Sequence, residues 1–173
     1  PKKAEELSGR IERTALELGA SLTDIVWSLR PSSGTLDGLT MYLVDRGQEL
    51  FAGQDTRFRA SLPSPLPSVR IELQVARHAQ LIVLEALHNA ARHARARQVE
   101  LRLETEGDRW ALMVTDDGGG FDGSAATRRI GGGSGLTSVL ERAREMGAEL
   151  TIASDEGWTE IRLILPRRRW VRW

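Results

Sequence analysis

The sequence contains no cysteine. That absence removes disulfides, thiolate zinc sites, iron–sulfur clusters and cysteine nucleophiles together, and it is compatible with a reducing compartment. No apolar run approaches the ~18 residues of a membrane span, and no signal-peptide pattern opens the chain. Neither sign of charge is in excess. The 24 Lys+Arg residues balance 24 Asp+Glu, so a globally basic nucleic-acid binder is disfavoured. What is present is 173 residues, 40% hydrophobic and 28% charged. This is a globular mix, sized for one domain plus an extension or for two very small domains. The first residue is Pro1 rather than Met, so a piece of a longer protein is expected.

Charge is unevenly placed. The tail Arg167, Arg168, Arg169, Trp170, Val171, Arg172, Trp173 carries four positive charges and no acid, which leaves 20 basic against 24 acidic residues in the remainder. Such a tail could touch a membrane surface or a nucleic acid, or be a solvated chain end. At the other end, Leu7, Ile11, Ala15, Leu18, Leu22, Ile25 and Leu29 are spaced 4, 4, 3, 4, 3 and 4, an apolar seam of heptad type. A helix over residues 2–30 would pack this seam on partner helices or cover its own domain. The seam ends in Leu29-Arg30-Pro31-Ser32-Ser33-Gly34, a breaker cluster that reads as a hinge or linker.

Between these ends the pattern predicts a helix from Leu36 to about Phe51 with Thr35 as N-cap. A short strand is expected at 57–62, where Phe58, Ala60 and Leu62 alternate with polar residues. Pro63, Pro65 and Pro67 exclude regular structure after it. A long helix is expected at 72–94, then strands at 98–104 and 110–114 joined by Gly107-Asp108. Residues 116–134 turn to glycine and small polar residues, a length that marks a lid or disorder rather than a routine connection. A helix at 136–146 and strands at 149–153 and 159–165 complete the chain. The order predicts an α/β sandwich, with helices stacked on one face of a mixed sheet.

Three features carry chemistry. At about 100° per residue, Glu85, Asn89, Arg92, His78, His88 and His93 fall within about 80° of one another's centre line on the long helix, opposite Val83, Leu87 and Ala90. A carboxylate, a carboxamide and a cation at this spacing suit a Mg²⁺–phosphate group, because Mg²⁺ takes few protein oxygens and fills the rest with phosphates and waters. The three histidines spread too widely to converge on zinc. A wet helix face is the plain alternative. The second feature is Asp116-Asp117 at a strand end, followed by Gly118-Gly119-Gly120-Phe121. A carboxylate there can accept from an exocyclic amine, while glycines let backbone approach a flat ring. An ordinary acidic turn would read the same way. The third is Gly131-Gly132-Gly133-Ser134-Gly135-Leu136 leading into a helix, whose first amides form an anion site. It lacks the phosphate-loop lysine, and the dinucleotide-binding fingerprint also fails.

Taken in order, Glu-x-x-x-Asn-x-x-Arg-His on a helix, a strand ending Asp-Asp-Gly-x-Gly-Phe, a glycine-rich lid, Gly-x-Gly-Leu and a final hairpin resemble the ATP-binding domain of sensor histidine kinases. That domain lies within the gyrase/Hsp90/histidine kinase/MutL ATPase superfamily, which has a Bergerat-type fold. The similarity spans about residues 34–166. Residues 135–147 resemble the short-lid class that includes nitrate-responsive sensors. Asp24-Ile25-Val26-Trp27-Ser28-Leu29-Arg30-Pro31 resembles the end of the second helix of that class's dimerisation hairpin. The implied organisation is a hairpin remnant with linker at 1–33, an ATP-binding domain at 34–166 and a basic tail at 167–173.

The resemblance implies further roles. Asn89 would coordinate Mg²⁺ on the triphosphate, and Glu85 would sit beside the metal and its waters, where the matching residue of ATP-hydrolysing members activates water. Arg92 and His93 would approach the phosphates. Asp116 would accept the adenine amino hydrogen. Gly118 and Gly120 would shape the adenine pocket. Gly133, Gly135 and the amides of Leu136 and Thr137 would hold phosphates under the lid. Thr159 would add a hydroxyl near the adenine, although Trp158 stands where a second glycine is usual. An acceptor histidine on a first dimerisation helix is missing, since the only histidines are His78, His88 and His93. The resemblance therefore implies a fragment that binds Mg·ATP but lacks its phosphoacceptor. In the parent, a homodimer with its kinase portion in the cytoplasm, the phosphoryl group would pass to that histidine and then to a response regulator. The alternatives are a serine kinase of the anti-sigma-factor type and a non-catalytic ATP-binding dimerisation module.

Overall fold

The computed structural model describes residues 34–120 and 134–166. The N-terminal seam, the lid including Gly133, and the Arg/Trp tail lie outside the described residues. Thr35 caps helix α1 (Leu36–Phe51), its Oγ1 accepting from the Gly38 amide at 3.3 Å. This is the first-turn donor that an N-cap hydroxyl satisfies. Strand β1 (Arg57–Ser61) follows, then α2 (Leu73–Asn89), β2 (Gln98–Glu106), β3 (Arg109–Asp116), α3 (Ser134–Met146), β4 (Glu149–Asp155) and β5 (Trp158–Ile164).

The strands form a five-stranded sheet in the order β1-β2-β3-β5-β4. β1 runs parallel to β2, and the other neighbours are antiparallel. The sheet is therefore mixed, as the sequence pattern predicts. β1 is an edge strand with little buried surface, anchored by Phe58. The Phe58 ring stacks on Phe51 with centroids 5.7 Å apart. It lies so close to Gly47 of α1 that a Cβ there would overlap it.

Period-2 alternation puts Val99, Leu101 and Leu103 of β2, Leu112 and Val114 of β3 and Leu163 of β5 on one face, under the helices. α2 supplies Val75, Ala76, Ala79, Ile82, Val83, Ala86 and Leu87 to the same core. Each fully buried leucine or isoleucine contributes about 1.5–3 kcal/mol. The second face of the sheet carries charge. Arg102 pairs with Glu100 at 2.8 Å, and Arg162 bridges Glu104 at 3.3 Å and Glu106. Ala111 and Met113 of β3 and Ile164 of β5 lie on this face and are also buried. β3 is thus buried on both sides, which is why its stretch reads as a continuous apolar run rather than an alternation.

The structure departs from the expected long helix at its end. Residues Ala90–Ala94 form a π turn, and Arg95 then adopts a left-handed conformation with φ 50°. A π turn closes i→i+5 bonds and is wider than an α turn. The 100° step that placed Arg92 and His93 beside Glu85 therefore stops applying at Asn89.

Candidate functional site

The C-terminal end of α2, the end of β3 and the tips of β4 and β5 meet at one end of the sheet. The link between helix and sheet is a backbone contact: the Gly119 amide donates to the Ala94 carbonyl at 2.8 Å. A Cβ on Gly118 would overlap that same carbonyl oxygen, so the loop can lie against the helix end only with glycine at 118. Gly120 has φ +63°, and its Cβ would overlap the Asp155 carbonyl oxygen at the end of β4. The two glycines named from the sequence are thus the points where the loop after β3 contacts, on one side, the helix, and on the other, the final hairpin.

Asp116 and Asp117 take separate tasks. Asp117 Oδ1 accepts from the Arg97 and Gln98 amides at 2.8 and 2.7 Å, tying down the start of β2. Asp116 is the last residue of β3, half-buried, with Oδ1 accepting from the Gly118 amide at 3.0 Å. Burial pushes its carboxyl above the ordinary carboxylate range; the Gly118 amide opposes this, and neighbouring Asp117 adds to it. Thr159 is the direct strand partner of Asp116 across β3 and β5, and it is 9% exposed. Trp158 in place of glycine has not displaced Thr159 from this position. Its own side chain is exposed at the hairpin tip.

On α2, the Asn89 Nδ2 donates to Glu85 Oε1 at 3.4 Å, and both side chains are half-buried. The bond orients the carboxamide and leaves its oxygen for a cation, which fits a Mg²⁺ ligand. Arg92 and His93 are exposed on the π turn. Burial lowers the pKa of His88, and the positive charge of Arg92 acts in the same direction, so Arg92 lies close to His88. His78 and His88 have different neighbours. His78 Nδ1 lies 3.6 Å from Glu145 of α3, whereas His88 feels Arg92, Glu85 and Arg46 of α1. Gly135, Leu136 and Thr137 fall in the first turn of α3, which begins at Ser134, two residues before the expected start. Their amides are among those with no carbonyl partner within the helix.

Sequence reasoning did not identify two contributors. Asp117 was read together with Asp116, and only its hydrogen bonds separate the two. The Ala94 carbonyl has no side-chain signature at all. A purine amine would find an acceptor in Asp116 beside the Gly118–Gly120 loop, and a metal–triphosphate would find an oxygen ligand at Asn89. The arrangement offers a hydrogen-bond acceptor for one end of a nucleotide and an oxygen ligand for the metal at the other.

The sequence profile described as histidine kinase-, DNA gyrase B-, and HSP90-like ATPase matches residues 74–169. The chain is 29% identical over 166 residues to an uncharacterized sensor-like histidine kinase of Chloroflexus aurantiacus, covering 94% of this chain and 27% of that protein. It is 31% identical over 114 residues to a sensor protein NarQ homolog of Haemophilus influenzae, covering 64% of this chain and 19% of that one. The chain therefore spans about a fifth to a quarter of the length of these curated relatives. Among solved structures, the histidine kinase domain of the blue-light activated histidine kinase of Erythrobacter litoralis superposes with a TM-score of 0.62 at 22% identity, over 74% of this chain and 60% of that one. Full-length ShkA in complex with AMPPNP gives 0.64 at 21% identity, over 76% of this chain and 30% of that one.

Proposed function

Because the chain belongs to the histidine kinase-, DNA gyrase B-, and HSP90-like ATPase family, we propose that it is the ATP-binding catalytic domain of a two-component sensor histidine kinase. The observation that carries this reading is Asp116, a half-buried carboxylate at the end of β3 with Gly118 on one side and Thr159 opposite. Burial raises its pKa despite the Gly118 amide, so its charged form gains from a further donor. The adenine amine is such a donor. Gly118 and Gly120 let the loop after β3 lie directly against the Ala94 and Asp155 carbonyls beside Asp116.

Asn89 Oδ1 would hold Mg²⁺, with Glu85 orienting the carboxamide. Mg²⁺, when bound, would neutralise charge on the triphosphate. Arg92 and His93 on the π turn, and the first amides of α3 after Gly133, would contact phosphate oxygens. What the domain contributes to transfer is positioning and charge neutralisation, which are the main needs of phosphoryl transfer. The acceptor would be a histidine on a dimerisation helix of the same parent protein, with onward passage to a response regulator. The parent would present this domain in the cytoplasm. No helix among the described residues is long and apolar enough to cross a membrane.

Calorimetry with a non-hydrolysable ATP analogue tests the site. Binding should require Mg²⁺, and Asp116→Asn or Asn89→Ala should each weaken it at least about tenfold, the loss expected for one charge-assisted contact. Binding unchanged in both variants would remove the site assignment. Supplying a dimerisation hairpin bearing the histidine should restore phosphotransfer. Transfer to a serine-bearing acceptor instead would replace the histidine kinase reading.

A further inference from the structure

Three adjacent strands set Asp116, Thr159 and Ser154 in one row. Asp116 pairs with Thr159 across β3 and β5, and Thr159 pairs with Ser154 across β5 and β4. Ser154 Oγ lies 3.2 Å from the Trp158 carbonyl oxygen and 3.2 Å from Thr159 Oγ1. A hydroxyl has one hydrogen to give and two lone pairs to offer, whereas a carbonyl oxygen only accepts. One assignment makes both contacts hydrogen bonds: Ser154 donates to the Trp158 carbonyl, and Thr159 donates to Ser154. The single hydrogen of Thr159 is then directed away from Asp116. Its oxygen remains an acceptor beside a second acceptor, the Asp116 carboxylate.

We propose that Ser154 is a positioning residue for base selection, fixing the Thr159 hydroxyl as an acceptor so that the site favours a purine with an amine at position 6. This rests on the ATP reading above and deepens it. The amine brings two hydrogens to a pair of acceptors, directly or through a water. A purine with a carbonyl at position 6 brings lone pairs against lone pairs, and a site whose polar groups are left unmatched discriminates strongly. Gly120 contributes to the arrangement: its Cβ would come within 3.3 Å of Ser154 Oγ, so the loop is packed directly over the row.

The test compares ATP with ITP, which carries a carbonyl in place of the 6-amine, in competition binding to the full 173-residue chain. Ser154→Ala should lower the ATP-to-ITP affinity ratio about 5- to 10-fold, the effect of reorienting one hydrogen bond. Ser154→Thr, which keeps the hydroxyl, should restore the ratio. Thr159→Val should lower the ratio comparably, and adding Ser154→Ala to it should change the ratio less than about 2-fold, because the serine acts only through the threonine. A merely structural serine would weaken both nucleotides alike with the ratio intact, and that result overturns the proposal. So does a full ratio in Thr159→Val. A wild-type chain that binds ATP and ITP equally overturns base selection alone, while one that binds neither overturns the ATP reading and this inference with it.

Discussion

Gly118→Ala is the perturbation whose effect the structure specifies most closely. A Cβ at 118 would overlap the Ala94 carbonyl oxygen and sit 2.7 Å from both the Ala94 carbonyl carbon and its Cβ, where ordinary contact begins at 3.4 Å. The obstructing atoms belong mainly to the backbone of the π turn, so no flexible side-chain end can swing aside. Either the loop or the helix end must move. Movement breaks the 2.8 Å bond from the Gly119 amide to the Ala94 carbonyl, about 1 kcal/mol. Overpacking adds about 1–3 kcal/mol. The expected loss is about 2–4 kcal/mol, or about 4–16 °C in melting temperature. Gly119→Ala is the internal control. Its Cβ would stand 4.0 Å from the same oxygen, an ordinary van der Waals distance, and its cost should stay within about 0.5 kcal/mol. Urea denaturation of both variants, followed by nucleotide titration, reads the difference. Equal stabilities for the two variants, or a larger loss at 119, would refute the claim that the helix end and the glycine loop are locked by close approach.

Nucleotide affinity should depend on pH through Asp116. Its folded pKa is raised above the ordinary 3.8 by burial, so the folded chain holds this proton more tightly than the unfolded one. Its contribution to stability therefore falls as pH rises through that window and returns on acidification. A bound amine favours the carboxylate, so affinity should rise as pH rises through and above the ordinary carboxylate range and flatten in Asp116→Asn. Titrations across that range check it, and a flat wild-type profile would contradict the assignment. In the core, Leu101 is fully buried at the centre of β2, and Leu101→Ala should cost about 2–5 kcal/mol in urea denaturation. A loss under about 1 kcal/mol would mean that the sheet is not seated under the helices as described.

The elements were largely legible. α1 begins and ends where the Thr35 cap and the apolar period place it, because a side-chain cap and an amphipathic face are both local signals. The hairpins follow from Gly107-Asp108 and Asp155-Glu156-Gly157; β2 and β4 run two residues past their expected ends, β3 starts one residue earlier and ends two later, and β5 is shifted back by one. The Asp116–Gly120 loop and the Glu85/Asn89 pair stand where residue type placed them, because glycine, carboxylate and carboxamide announce their chemistry by type; Gly131–Gly133 lie outside the described residues. The π turn could not be read in this way. Nothing in Ala90-Ala91-Arg92-His93-Ala94 distinguishes it from α-helix, and its last carbonyl is bonded by the Gly119 amide from the loop after β3.

By itself, then, the sequence determined the order of elements, the faces they bury and the kinds of functional group available, all of which depend on residue type and local period. Tertiary structure decided which of those groups meet. It separated Asp117, which ties down the start of β2, from Asp116, which is held at the end of β3 by the Gly118 amide. It aligned Asp116 with Thr159 and Ser154, which lie about forty positions further along the chain. Register between distant strands is set by the shared core beneath them, and a backbone carbonyl such as that of Ala94 becomes a wall only when another part of the chain is pressed against it.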